Sequence, residues 1–124
     1  MTRTILIVED TDLCRDALEV ALTRLPDVAV QSVGTAEEAL QRLEAGGVCA
    51  LITDLDLPHM DGFSLIEAVR GLPGGAPLPI LVVSGDTDPR TPARLARLGA
   101  NGYFSKPYSP AEVRQKVERL IHGL

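Results

Sequence analysis

Long apolar runs, basic charge and cysteine are the three things this sequence has little of. The first hydrophobic stretch, Ile5-Leu6-Ile7-Val8, lasts four residues before Glu9-Asp10. That is too short for the apolar part of a secretory signal or for a membrane span, which needs about 20 residues. The expected location is therefore the cytoplasm, with no membrane partner. Twelve Lys and Arg against 17 Asp and Glu leave a formal charge of -5. A surface that holds nucleic acid needs clustered cations against the phosphates, so direct nucleic-acid binding is not expected. Cys14 and Cys49 lack metal-type spacing, and no secretory signal brings them to an oxidising compartment. They read as small core residues with free thiols.

What is present is an ordinary globular composition, 45% hydrophobic and 23% charged, in 124 residues. That length suits one domain with a core and leaves no room for a second. Short apolar runs alternate with longer helical stretches five times: Ile5 to Val8, Val28 to Val30, Ala50 to Ile52, Ile80 to Val83 and Gly102 to Phe104. Continuous hydrophobicity in four of them suits strands covered on both faces, as a parallel sheet requires.

Between the strands, Leu13, Ala17, Val20, Ala21 and Leu25 recur at helical spacing and predict the inward face of a first helix, stopped by Pro26-Asp27. Thr35 reads as the N-cap of a second, because Glu38 stands three residues on. Ala36, Ala39, Leu40 and Leu43 make its apolar face before Gly46-Gly47. Phe63, Ile66 and Val69 line a third, with Leu65 beside them and Gly71 after its end. Pro92 to Leu98 predicts a short fourth, with Leu95 and Leu98 inward and Gly99 as its stop. Ser109, Pro110 and Glu112 start a fifth that carries Val113, Val117, Leu120 and Ile121 inward. Gly71 to Pro79 predicts a long surface connector, and Gly85 to Thr91 a polar loop.

Ligands of an open α/β sheet bind at the carboxyl ends of its strands, near the reversal of strand order. Glu9-Asp10, Asp54, Ser84 and Lys106 all fall at the ends of apolar runs, so they would gather on that edge. Three carboxylates there would repel one another unless a cation joined them. Magnesium suits better than calcium, because few carboxylates plus waters and a phosphate is its usual arrangement. Taken alone, Glu9-Asp10 also reads as a helix cap, but capping does not account for Asp54. A carboxylate such as Asp54 can attack phosphorus if cations neutralise the phosphoryl oxygens. Lys106, just before the turn-fixing Pro107, supplies one cation. The Ser84 hydroxyl can donate to a phosphoryl oxygen and Gly85 leaves it room, although Ser-Gly also reads as an ordinary turn.

In order and spacing, Glu9-Asp10, Asp54 with Leu57-Pro58-His59-Met60-Asp61-Gly62, Ser84-Gly85 and Tyr103-Phe104-Ser105-Lys106-Pro107-Tyr108 resemble the response-regulator receiver domains of two-component signalling. The resemblance runs nearly end to end. It implies one receiver domain over residues 1–124, a (βα)5 flavodoxin-like doubly wound α/β fold with a parallel five-stranded sheet in the order 2-1-3-4-5. It implies Asp54 as phosphoacceptor. It also implies Asp10 and Asp54 as direct magnesium ligands, Glu9 reaching through water, and the backbone carbonyl of Asp56 as a further ligand. Ser84 and Lys106 would contact the phosphoryl group beside Gly85, and the Lys106-Pro107 peptide would be cis at Pro107. Tyr103 would be the switch aromatic, turning from solvent toward the core as Ser84 is drawn inward; it also reads as a half-buried strand aromatic. Position 84 is Ser where many relatives carry Thr, and acidic Asp56 and Asp86 flank the site.

The expected function is thus phosphoryl transfer from a sensor histidine kinase or phosphotransfer protein to Asp54, which switches a surface of helix 4, strand 5 and helix 5 to control a partner protein. No enzyme activity is expected beyond the domain's own phosphorylation and dephosphorylation. Arg90, Arg94 and Arg97 with Arg114, Lys116 and Arg119 read either as solvated helix charges or as one basic face, through which a homodimer would form. The chain also reads as the N-terminal receiver of a longer regulator or hybrid kinase; Met1 sits better with that, or with a stand-alone regulator, than with a C-terminal receiver. A reading from another class comes from Asp54-Leu55-Asp56, which resembles the Asp-x-Asp of haloacid-dehalogenase-type magnesium phosphatases. That motif normally occupies the first strand and would leave Glu9-Asp10 without a role.

Overall fold

In the computed structural model, which describes residues 3–123, five strands and five helices alternate along the chain. They are β1 (Arg3–Val8), α1 (Asp12–Leu22), β2 (Val28–Val33), α2 (Ala36–Glu44), β3 (Val48–Thr53), α3 (Gly62–Arg70), β4 (Ile80–Ser84), α4 (Thr91–Leu98), β5 (Gly102–Ser105) and α5 (Pro110–Ile121). Met1, Thr2 and Leu124, part of the predicted 1–124 span, lie outside the described residues. The sheet is parallel throughout and ordered β2-β1-β3-β4-β5, as expected.

Strand periodicity divides the core in two, because successive side chains leave opposite faces of a sheet. Leu6, Val8, Leu51, Ile80 and Val82 face one layer, where they meet Ala36 and Ala39 of α2, Leu65, Ile66 and Val69 of α3, and Leu95 of α4. Ile5, Ile7, Ala50, Ile52, Leu81 and Val83 face the other, against Leu18 and Leu22 of α1 and Val113 and Val117 of α5. The central strands are therefore apolar on both sides, whereas the edge strand β2 alternates between partly buried and exposed residues.

One predicted face holds only at Ala21 and Leu25. Leu13 and Val20 are 80% and 67% exposed; the buried residues of α1 are Leu18, Ala21 and Leu22, of which Leu18 and Leu22 pack against the sheet, with Leu25 just after the helix end. The helix carries two apolar stripes that share Ala21. Full burial of a leucine is worth roughly 1.5–3 kcal/mol, and only the Leu18–Leu22 stripe collects it.

Three helices start on a side chain of their own N-cap. Thr35, Asp61 and Ser109 accept from the backbone N–H groups of Glu38, Ser64 and Glu112. α4 ends on Gly99, in the left-handed region at φ 92. Arg70 closes the far side of the domain: its guanidinium donates to the carbonyls of Gly75 and Leu78 at 2.7 Å and to that of Gly99. The predicted connector 71–79 is thereby pinned to the end of α4.

Candidate functional site

β1, β3, β4 and β5 run parallel, and Val8 pairs with Thr53 while Ser84 pairs with Ser105. The residues just beyond these strand ends therefore emerge side by side. Glu9 is fully buried and Asp54 is 3% exposed. Lys106 reaches over from β5 and places its Nζ 2.7 Å from Asp54 Oδ2 and 3.2 Å from Glu9 Oε2. Asp54 Oδ1 accepts from the N–H groups of Leu55 at 2.6 Å and Asp56 at 3.1 Å, which fixes the carboxylate at the pocket floor. The remaining Glu9 oxygen accepts from the N–H of Thr11, immediately before α1. α3 approaches from below, where a Cβ on Gly62 would stand 2.4 Å from the Asp54 carbonyl oxygen, so glycine lets the helix start against the strand end.

The electrostatics come from two buried acids sharing one cation. Burial, followed by the negative charge of Asp54, pushes the Glu9 carboxyl above the ordinary glutamate range; the Thr11 N–H and Lys106 oppose this. Burial would lower the Lys106 ammonium, but the hydrogen bond and charge of Asp54, and then those of Glu9, carry it above the usual lysine value. Lys106 is thus a fixed cation at neutral pH.

Asp10 lies exposed at the rim, and among the described residues no hydrogen bond or ion pair engages its carboxylate. Nor, among those residues, do three acidic, His or Cys side chains form a ready-made metal cage. Asp10, Asp54 and the Asp56 backbone nevertheless offer the sparse oxygen set, in an acid-rich pocket, that suits magnesium with most of its waters retained. The residues fit the ion.

Ser84 is fully buried, and its Oγ accepts from the Asp86 N–H at 3.1 Å. A Cβ on Gly85 would meet nothing within 4 Å, so the mouth beside Ser84 is open. The Lys106-Pro107 peptide is cis. Tyr103 is partly buried against the α2–α4 side of the core, and its hydroxyl donates to the Asp86 carbonyl at 3.1 Å. Of the two sequence readings, the half-buried strand aromatic describes this state: a tyrosine that covers apolar surface and finds an acceptor for its hydroxyl is satisfied where it is. The Asp86 carboxylate is occupied too, by the Asp88 N–H at 2.7 Å and the Thr91 hydroxyl at 3.0 Å.

The six predicted basic residues do not make one face. Arg90, Arg94 and Arg97 line a groove with Phe63, over whose ring the Arg94 guanidinium lies at 3.8 Å. Arg114 lines a different groove, of about 490 Å³, against Leu13, Ala17 and Val20 of α1. Sequence reading missed Thr91 and the exposed α1 stripe. No spacing rule links Thr91 to Asp86, and the stripe was assigned to the core. Cys14 and Cys49 are free and partly buried.

Comparison with known proteins identifies the family and the fold. A family profile described as "Response regulator receiver domain" matches residues 5–118. A probable chemotaxis protein CheY of Rhizobium etli is 28% identical over 97% of this chain and 93% of its own. A response regulator from Chloroflexus aurantiacus superposes with a TM-score of 0.88 at 34% identity, covering 98% of this chain and 99% of that one. The receiver domain of a sensor histidine kinase from Pseudomonas aeruginosa, solved with a magnesium ion coordinated in its active-site cleft, has a TM-score of 0.86 at 26% identity and covers 98% of this chain and 99% of its own. Among the described residues, no helix is long and apolar enough to cross a membrane.

Proposed function

Since the chain belongs to the family of response regulator receiver domains, we propose that it stores a signal as a phosphoryl group on Asp54, taken from a sensor histidine kinase or phosphotransfer protein. The observation that carries this reading is the Lys106 ammonium 2.7 Å from a buried, backbone-oriented Asp54 carboxylate. An Asp54 oxygen attacks phosphorus, the bond from phosphorus to the donor breaks, and the donor imidazole leaves with the bond electrons and takes a proton. Lys106 moves its charge from the carboxylate to a phosphoryl oxygen, and the Ser84 hydroxyl donates to another across the open mouth at Gly85. Magnesium, held by Asp10, Asp54 and the Asp56 carbonyl with Glu9 behind it, would neutralise phosphoryl charge. Water later hydrolyses the acyl phosphate; the domain turns over no other substrate and works as a switch rather than an enzyme.

The donor docks beside the pocket. Exposed Leu13, Ala17 and Val20 line one groove, and Leu13 and Ala17 continue into a neighbouring apolar groove with Cys14, Pro107, Tyr108 and Pro110, which Lys106 also lines. An exposed apolar stripe of this kind marks a contact surface. The output surface is α4, β5 and α5, where Tyr103 holds the loop before α4. Moving such a switch from mostly off to mostly on needs roughly 5.5 kcal/mol of differential stabilisation.

Acetyl phosphate with magnesium should add one phosphoryl group, seen by intact mass, and Asp54→Asn should abolish it. Labelling of the Asn variant would assign the wrong nucleophile. Sustained turnover of a small phosphate ester would replace the switch with a phosphatase.

A further inference from the structure

α4 differs from the helices that cap themselves: the residue before it, Arg90, makes no side-chain cap bond. Its first residue, Thr91, is 4% exposed and gives its hydroxyl to Asp86 Oδ2 at 3.0 Å. Asp86 meets three different parts of the molecule through three different groups. Its N–H donates to Ser84 Oγ in the pocket, its carbonyl accepts from the Tyr103 hydroxyl on β5, and its carboxylate accepts from Thr91 on α4. The same carboxylate accepts from the Asp88 N–H, which tightens the loop between β4 and α4.

We propose that Asp86 is a positioning residue that carries a change at Ser84 to the first turn of α4, its carboxylate anchoring the Thr91 side chain where the helix begins. The proposal rests on the reading of Asp54 as phosphoacceptor. A hydroxyl can accept from one group while donating to another, so Ser84 drawn toward a phosphoryl oxygen either takes the Asp86 N–H with it or releases it. Both outcomes move the Asp86 carboxylate, and Thr91 moves with it or is let go. A negative charge here also favours the helix N-terminus, so α4 loses two supports at once when the carboxylate moves. The output surface thereby responds through a bond between side chains that need no contact with the phosphoryl group.

Backbone hydrogen exchange of Thr91, Ala93 and Arg94 in the full chain tests this, with and without magnesium and beryllofluoride. Thr91→Val keeps the shape and removes the hydroxyl; Thr91→Ser keeps the hydroxyl. In the resting state Thr91→Val should speed exchange of the first turn of α4 roughly five-fold, the effect of one lost hydrogen bond. It should leave acetyl phosphate labelling of Asp54 and the exchange of α5 unchanged, and abolish the response of α4 to beryllofluoride. Thr91→Ser should behave as the parent, and Asp86→Ala should speed exchange at α4 at least as much as Thr91→Val, since it removes the charge as well as the bond. Unchanged resting exchange in Thr91→Val, or a full beryllofluoride response in it, overturns the proposal. Absence of labelling in the parent chain instead overturns the Asp54 reading, and the resting comparison of Thr91→Val with Thr91→Ser still decides the role of Asp86.

Discussion

The helices of this domain begin in two ways. α2, α3 and α5 cap themselves, with Thr35, Asp61 and Ser109 each accepting from an N–H of the first turn. α1 and α4 have no such cap, and each is tied at its start to a carboxylate at or beside the pocket: the Thr11 N–H to Glu9 and the Thr91 hydroxyl to Asp86. A self-capped helix is indifferent to what the pocket holds. A helix whose first turn hangs on a pocket carboxylate is not, because a cation entering the pocket competes for that carboxylate and an anion repels it. Of the two helices tied to the site, α1 lines the proposed donor groove and α4 belongs to the proposed output surface, while self-capped α5 borders both.

The largest effect that sharpens this contrast should come from Lys106→Met. It leaves Glu9 and Asp54 buried together without their cation, and breaking a buried ion pair from one side costs about 3 kcal/mol or more. Urea denaturation in chelator should show that loss, and added magnesium should recover part of it by serving the same carboxylates. α1 should loosen with it, since Glu9 also holds Thr11. A loss no larger than that of a surface variant, with magnesium making no difference, would break the link between pocket charge and α1.

The self-capped helices supply the smaller, opposite control. Thr35→Ala and Ser109→Ala should each cost about 1 kcal/mol, the usual worth of an N-cap. The cost should be the same with and without magnesium and beryllofluoride. A cost that grows on activation would mean that α2 or α5 reads the pocket too, and the division between the two kinds of helix would fall.

Strands and pocket edge were legible in the sequence because both faces of the central strands are buried. A run such as Ile5 to Val8 needs no partner to be recognised, and the residues next after it must emerge at the sheet edge. The caps at Thr35 and Ser109 were legible because the bond spans three residues. α1 was not: Leu13-Ala17-Val20 and Leu18-Ala21-Leu22-Leu25 are both good helical stripes, and only the sheet decides which is covered. Nor were the ties at Asp86 and Tyr103, 17 residues apart. Such bonds depend on how a loop folds over a strand end, and periodicity carries no information about that.

The smallest effect concerns Tyr108, which stands beside Ser109 and is where a self-capped helix meets the groove next to the pocket. Burial, followed by the nearby Cys14 and Glu9, pushes its phenol up from 10 to about 12. A raised value in the folded state favours the protonated form, so the stability it contributes is complete below pH 10 and is lost as pH rises toward 12. Because the side chain is only partly buried, solvent screening keeps that contribution well under the cost of a cap. In a Tyr103→Phe chain, tyrosinate absorbance should rise near pH 12. Helicity across the same range separates the two kinds of helix: Ser109 caps α5 with a neutral hydroxyl, so α5 should persist while the groove around Tyr108 opens. A phenol that ionises near its ordinary value of about 10 would mean that the groove is solvated, and the donor surface would then lack the dry apolar floor that the exposed stripe of α1 needs beside it.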